Sequence, residues 1–336
     1  MRHIILFGGS FDPIHTGHLQ IAKAALKETK ADELWFLLAA INPFKEAGTA
    51  FEDRQKMIEL MIQPFKKMKL STVEKDLPIP SYSYDTVKHL LSINKDVKFS
   101  WLIGSDQIEH LDKWYKFEKL NALVEFIVYD RSGYHHDHTY KTIKGSSVDV
   151  SSTDIRNGQS TNTKKSILRY MMLKGLYLNP LTENKMSDKR YQHTLRVTDL
   201  AIQLAKQHNL DEDKMRLIAM THDWCKEWPK EELKNLMASL YPQHLDLPPA
   251  FYHGFCGSAV LSKHYNIKDK EILSAIRSHV NGQSTNPYAM ALYIADKCEP
   301  ERKYNTKPYV DMALRDLRKG FKAVKALNEK YLKETL

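Results

Sequence analysis

The chain has 336 residues, 42% hydrophobic and 27% charged, with a formal net charge of +9. That length accommodates two domains with cores of their own, and no apolar run approaches a membrane span, so membrane partners are not expected. The positive excess is spread over both halves without a basic tail, which speaks against a nucleic-acid partner.

Taken in chain order, Ile4-Ile5-Leu6 predicts a buried strand. It ends at Gly8-Gly9, where the missing side chains let a ligand approach the backbone. Thr16 is expected to cap a helix that carries Leu19, Ala22 and Leu26. His15 and His18 stand at the mouth of this strand–turn–helix unit. A helix N-terminus offers N–H groups and the positive end of a dipole, which suits a phosphate chain. Further strands are predicted over 33–39, 99–103, 123–129 and 148–150, with helices over 51–61 and 85–93. Alternating strands and helices imply a parallel sheet covered on both faces. Ligands of such sheets sit at the carboxyl ends of the strands. Gly8-Gly9, Gly104-Ser105-Asp106 and Ser151-Ser152-Thr153 all fall there.

The second half has almost no strand signal. Helices are expected near 189–208, 211–225, 255–265, 268–281, 287–298 and 309–333. Pro180 and its polar neighbours interrupt the periodicity, so the expected division is 1–180, a linker over 181–187, and 188–336. Three cysteines, Cys225, Cys256 and Cys298, suggest a reducing, cytoplasmic setting. Met1-Arg2-His3 leads directly into the first predicted strand, so a signal peptide is not expected.

The first half has neither a G-x-x-x-x-G-K-[ST] loop nor a G-x-G-x-x-G fingerprint. Instead, His15 and His18 can aim imidazole N–H donors at a phosphorus while a nucleotidyl group transfers. Val150-Ser151-Ser152-Thr153-Asp154-Ile155-Arg156 supplies hydroxyls before a short helix, with Arg156 four residues after Ser152. Its guanidinium fork suits the terminal phosphates of a leaving pyrophosphate. The run Tyr134-His135-His136-Asp137-His138 has the residue types of a metal cluster, but lies in a polar, turn-like stretch and reads as a solvated loop.

GGSFDPIHTGHL followed by VSSTDIR resembles the nucleotidylyltransferases, a Rossmann-like superfamily. Asn42-Pro43-Phe44-Lys45, Ser81-Tyr82-Ser83-Tyr84-Asp85-Thr86-Val87, Gly104-Ser105-Asp106 and Trp114-Tyr115 are similar to the nicotinate-nucleotide adenylyltransferase branch. The resemblance implies an α/β Rossmann-like domain that transfers AMP from ATP to nicotinate mononucleotide, with Mg²⁺ on the ATP phosphates. His15, His18 and Arg156 would act on the phosphates. Gly8, Gly9, Ser10, Phe11, Lys45, Gly104, Asp106, Ser151 and Ser152 would bind ATP. Thr86 and Tyr115 would hold the pyridine carboxylate, and Trp114 would stack on the ring. Two departures stand out: Phe44 where the family often has His, and Ser83 where it often has Thr. Trp114 has a second reading, as an anchor packed on Leu111 and Phe117. An acceptor such as phosphopantetheine or a polyol phosphate is the alternative for the reaction.

In the second half, His222-Asp223 ends a helix whose apolar stripe runs through Met215, Ile218 and Ala219. His193 shares a stripe with Val197, Leu200 and Leu204, and Asp296 follows Ala289 and Leu292. Inward imidazoles and carboxylates need partners or a metal. The order His193, His222-Asp223, Asp296 resembles the HD-domain metal phosphohydrolases. His253, His279 and Ala295-Asp296-Lys297-Cys298-Glu299-Pro300 point to the branch that cleaves diadenosine tetraphosphate symmetrically. That resemblance implies an all-α domain with two ions, iron or another divalent metal, held by His193, His222, Asp223, His253, His279 and Asp296. Lys226 would stabilise charge in the reaction, and Arg302 would contact phosphate. Other nucleotides, or a regulatory role, remain open for this domain. Oligomeric state is unconstrained.

Overall fold

The computed structural model describes residues 1–40, 48–130, 138–145 and 150–335, with side chains up to residue 330. The chain divides into two compact units. One comprises Met1–Ile155 and Asn162–Ile167, the other Arg156–Thr161 and Leu168–Leu336. The expected linker is not free of contacts. Leu181 and Thr182 are buried in the second unit. There the Thr182 hydroxyl donates to the Met220 carbonyl and accepts from the Trp224 indole.

The first unit contains β1 (Arg2–Gly9), α1 (Thr16–Thr29), β2 (Glu33–Leu38), α2 (Phe51–Ile62), β3 (Met68–Ser71), α3 (Ser83–Ile93), β4 (Val97–Gly104), α4 (Phe117–Leu123), β5 (Glu125–Tyr129) and β6 (Lys141–Ile143). The short α5 (Ser152–Arg156) and α6 (Lys165–Leu173) follow. The six strands form one parallel sheet in the order β3-β2-β1-β4-β5-β6. Register pairs Gly9 with Leu38 and Gly104 with Tyr129, so the strand ends line one edge. Strand order reverses between β1 and β4, the place where open α/β sheets bind ligands. Ile4, Leu6, Val87, Leu90, Trp101, Phe126 and Val128 pack one face of the sheet.

Two expectations change here. The helix after the glycine turn is capped by His15, not Thr16, whose hydroxyl instead donates to the Asn162 carbonyl. The sixth strand is Lys141–Ile143. Residues 148–149 of the segment expected to be a strand lie outside the described residues, and Val150 lies outside any strand. The four-residue β3 is too short to leave a periodic signal.

The second unit is helical: α7 (Leu178–Glu183), α8 (Asp188–Gln207), α9 (Glu212–Thr221), α10 (Lys230–Leu240), α11 (Tyr252–Lys263), α12 (Lys270–Ser278), α13 (Pro287–Cys298), α14 (Lys307–Arg315) and α15 (Leu317–Thr335). Ser187, Asp211, Asp269 and Asn286 cap α8, α9, α12 and α13, each by accepting a backbone N–H on its side chain. The helix expected over 309–333 is broken at Asp316 into α14 and α15. The two pack so closely that a Cβ on Gly320 would sit 2.4 Å from the Ala313 Cα. Among the described residues, no helix is long and apolar enough to cross a membrane.

Candidate functional sites

In the first unit, β1 delivers the chain to a tight turn. A Cβ at Gly8 would lie 3.1 Å from the Trp101 ring, and one at Gly9 would lie 3.0 Å from the Phe11 ring. Neither position has room for a side chain without movement of an aromatic. Phe11 itself has a φ of 48°. His15 is buried and caps α1, and its backbone N–H donates to His18 Nδ1 at 3.3 Å. The two imidazoles face each other with centroids 3.8 Å apart. Phe11 packs edge-on to His18 at 5.1 Å. Gly17 leaves the space that His15 fills, since a Cβ there would be 3.0 Å from His15 Nδ1.

Ser152 joins this turn from far along the chain, its hydroxyl donating to the Pro13 carbonyl at 2.9 Å. Ser151 caps α5 reciprocally with Asp154: its hydroxyl accepts from the Asp154 N–H, and its own N–H donates to the Asp154 carboxylate. These bonds hold the Asp154 carboxyl below its ordinary value. Arg156 ends the same short helix and is half-buried. Gly104 closes β4, and Asp106 follows in a 3₁₀ turn, accepting from the Gln107 amide at 2.9 Å. Ser10 is half-buried beside the turn. Lys45, with Asn42, Pro43 and Phe44, lies outside the described residues, as do Tyr134–Asp137 of the histidine-rich run.

The residues expected to hold the acceptor separate into two kinds. Thr86 is fully buried, and its hydroxyl is engaged by Glu74 at 3.1 Å and the Tyr82 carbonyl at 3.2 Å. Trp114 packs edge-on to Trp101 and Phe126, at 6.1 and 6.3 Å, alongside Leu111 and Phe117. Tyr115 is 41% exposed and lies on Tyr82 with centroids 4.4 Å apart.

Two buried charges near these residues were missed from sequence. Arg54 bonds the carbonyls of Ser10, Ala39, Ala40 and Thr49. Its signal was present: Arg54, Met57, Ile58 and Met61 follow the spacing of one helical face. Glu74 sits in a single 3₁₀ turn, where no periodicity exists to expose it.

The second unit gathers all six expected ligands of the HD reading. His222 and His279 follow the last turns of α9 and α12 as their C-caps. Each ring donates Nδ1–H to the carbonyl three residues back, Ala219 and Ile276, both at 2.6 Å. That fixes the tautomer and turns the Nε2 lone pair inward. Helices α11 and α12 approach closely, since a Cβ on Gly254 would lie 2.9 Å from the Ile276 carbonyl. This contact sets His253 Nε2 3.1 Å from His279 Nε2 and 3.2 Å from Asp223 Oδ1. On the other side, His193 Nε2 lies 3.2 Å from Asp296 Oδ1.

Two sets of possible metal-ligating atoms result: His193, His222 and Asp296, and His222, Asp223 and His279. Burial pushes His222 and His253 down to about 4, so both imidazoles are neutral at pH 7. Burial opposes ionisation of Asp223, but His222, His253 and His279 hold its carboxyl well below its usual range. For Asp296, burial is likewise outweighed, by Lys297, His193 and His222. Neutral imidazoles and ionised carboxylates are the protonation states a metal requires. The fit is sharpest at His222, a wholly buried ring whose Nε2 has no hydrogen-bond partner among the described residues. A buried ring nitrogen left this way is costly unless something binds it. Three cations border the carboxylates. Arg190 meets Asp223 at 2.9 Å, Lys297 meets Asp296 at 2.7 Å, and Arg302 donates to the Asp296 backbone and side chain. Lys226 is half-buried, with burial lowering its pKa.

A parallel Rossmann-like sheet with a glycine–histidine turn, followed by helices around a histidine–aspartate cluster, defines a nucleotidyltransferase-type domain joined to an HD domain. Residues 6–158 match the cytidylyltransferase-like family and residues 190–301 the HD domain family. A protein of Mycoplasma genitalium named as a probable nicotinate-nucleotide adenylyltransferase/Ap4A hydrolase is 33% identical over 90% of this chain and 89% of its own length. A probable nicotinate-nucleotide adenylyltransferase of Staphylococcus epidermidis is 38% identical, over 50% of this chain and 90% of its own. A crystal structure from Clostridium acetobutylicum, described as that of a predicted HD superfamily hydrolase involved in NAD metabolism, matches 47% of this chain and 86% of its own, with 27% identity and a TM-score of 0.44. The chain belongs to the family of nicotinate-nucleotide adenylyltransferase/Ap4A hydrolase fusion proteins.

Proposed function

We propose that the chain carries two activities. The first domain, residues 1–180, transfers AMP from ATP to nicotinate mononucleotide, giving nicotinate adenine dinucleotide and pyrophosphate. The second, residues 188–336, hydrolyses diadenosine tetraphosphate to two ADP. The observation that carries the first reading is the facing pair His15 and His18 on the glycine turn, with Ser152 bonded to Pro13.

In the first reaction the acceptor's 5′-phosphate attacks the α-phosphorus of ATP, so no side-chain nucleophile is needed. His15 and His18 donate to the phosphates as charge builds on them. Gly8, Gly9, Ser10, Phe11, Ser151 and Ser152 surround the triphosphate with backbone and hydroxyl donors. Lys45 and Arg156 neutralise its charge, and Gly104 and Asp106 receive the adenosine. Mg²⁺ arrives with ATP. Tyr115, exposed and stacked on Tyr82, receives the pyridine ring. Thr86 braces the subsite from behind, because its hydroxyl and its backbone N–H are both already bonded. Trp114 shapes the subsite from the core side.

In the second domain, His193, His222, Asp223, His253, His279 and Asp296 would hold two divalent ions, with iron the expected metal. Such ions supply Lewis acidity toward phosphoryl oxygens and activate water. The chain's own part is to fix the ligands through Ala219 and Ile276 and to offer Lys226 and Arg302 to the polyphosphate. The orphaned Nε2 of His222 carries this reading.

The test uses the full chain. Pyrophosphate release from ATP plus nicotinate mononucleotide, and ADP release from diadenosine tetraphosphate, are followed in parallel with and without chelator. Chelation followed by return of Mg²⁺ alone should leave the first activity intact and abolish the second. Absence of pyrophosphate release would overturn the first assignment, and ADP formation by metal-stripped protein would overturn the second.

A further inference from the structure

A buried chain of hydrogen bonds runs from the glycine turn to the elements around Thr86. Its first member is Arg54, 7% exposed. Arg54 Nη1 donates to the Ser10 carbonyl at 3.1 Å and the Ala39 carbonyl at 2.9 Å, and Nη2 to the Ala40 carbonyl at 3.2 Å. Its Nε donates to the Thr49 carbonyl at 2.9 Å. The second member is Glu74, 6% exposed. Its carboxyl accepts from the Ser81 hydroxyl at 2.6 Å and the Thr86 hydroxyl at 3.1 Å. It also takes a backbone hydrogen bond from Ala40. The peptide between Ala39 and Ala40 is therefore gripped from both sides, its carbonyl by Arg54 and its N–H by Glu74.

Peptide planarity gives this chain a consequence at each end. In a trans peptide the carbonyl and the following N–H point in opposite directions. With the Ser10 carbonyl turned toward Arg54, the Phe11 N–H is turned away from it, at the turn where β1 ends. At the other end, Glu74 ties Ser81, before α3, to Thr86 in its first turns. A lysine cannot replace Arg54, because only the rigid guanidinium fork serves four carbonyls at once.

We propose that Arg54 and Glu74 form a positioning relay that holds the ATP turn at Ser10 against the acceptor elements at Ser81 and Thr86. This rests on the adenylyltransferase reading of the first domain. Arg54 sets the donor side, Glu74 the acceptor side, and the Ala39–Ala40 peptide transmits between them.

The test is steady-state kinetics of R54K, E74A and the double variant, with ATP and nicotinate mononucleotide varied separately and thermal unfolding recorded for each. E74Q, nearly isosteric, replaces E74A if that variant does not fold. R54K should raise the KM for ATP about tenfold and, through the Ala39–Ala40 peptide, that for the acceptor about threefold, and the Glu74 variant should do the reverse, as expected for loss of charge-assisted hydrogen bonds. The double variant should lose less kcat/KM than the product of the single losses, since a relay broken once has little left to lose. Unchanged KM values, or a parallel loss for both substrates that tracks thermal stability, would overturn the relay. So would single effects that multiply fully. Wild-type protein that releases no pyrophosphate would instead overturn the underlying reading.

Discussion

The backbone N–H of His15 donates to the ring of His18 at 3.3 Å, so one imidazole both caps α1 and faces its partner across 3.8 Å. Structure and proposed chemistry share this side chain. A glutamine at the third helical position makes the same reciprocal bond in ordinary capping boxes. That provides a way to separate the two roles.

H18A should lower pyrophosphate release by about a hundredfold to a thousandfold, the usual effect of removing one donor to a developing charge. It should also cost about 1 kcal/mol of stability through the lost cap. H18Q should recover most of that stability and little of the activity. Urea denaturation and a pyrophosphate assay on the two variants check this. Recovery of turnover in step with stability would leave His18 a capping residue.

Trp114 and Tyr115 are neighbours with opposite surroundings. Trp114 packs on Trp101 and Phe126, whereas Tyr115 is largely open. W114A should therefore cost about 3 kcal/mol, in the range of aromatic truncations against a core. Y115A should cost less than about 1 kcal/mol while raising the KM for nicotinate mononucleotide. Denaturation midpoints and acceptor titrations read the two effects apart. Stability losses of equal size would contradict this division.

The contrast between these residues also marks what sequence can reveal. Strand β1, the glycine turn and α1 were legible because apolar run, glycines and histidines lie within eighteen residues. The HD cluster was legible because His193, His222 and Asp296 continue apolar helical stripes. Thr86 was visible as a residue but not as an occupied one, because its partner Glu74 lies twelve positions away in a turn with no period. The break at Asp316 was hidden for a similar reason. It depends on Gly320 meeting Ala313 in space, while the apolar pattern runs on through both helices.

Glu74 gives a pH signature. Burial raises its carboxyl above the ordinary value of 4.5, against the lowering effect of Ser81, Thr86 and Ala40. The folded state therefore binds the proton more tightly than the unfolded state. Its contribution to stability is complete below about pH 4.5 and is lost as pH rises through the folded value. E74Q lacks this titration, so its stability relative to wild type should climb with pH across that window. Urea denaturation of both proteins between pH 4 and 7 measures the slope. A difference independent of pH would mean that Glu74 ionises equally well in both states.

In the second domain, Asp223 is the carboxylate on which the cluster converges. Its Oδ1 faces His253 and His279, and its Oδ2 lies 3.6 Å from His222 Nε2. D223A should abolish ADP release from diadenosine tetraphosphate and strip bound metal, while pyrophosphate release by the first domain stays within about twofold of wild type. The bound metal of purified protein, measured by elemental analysis, supplies a readout independent of turnover. Because Asp223 also neutralises Arg190 at 2.9 Å, D223N serves as the milder control: it keeps the side chain's shape and removes its charge. If D223N retains full metal content, charge at Asp223 is not what binds the ion. If D223A retains ADP release, Asp223 has no part in the hydrolysis.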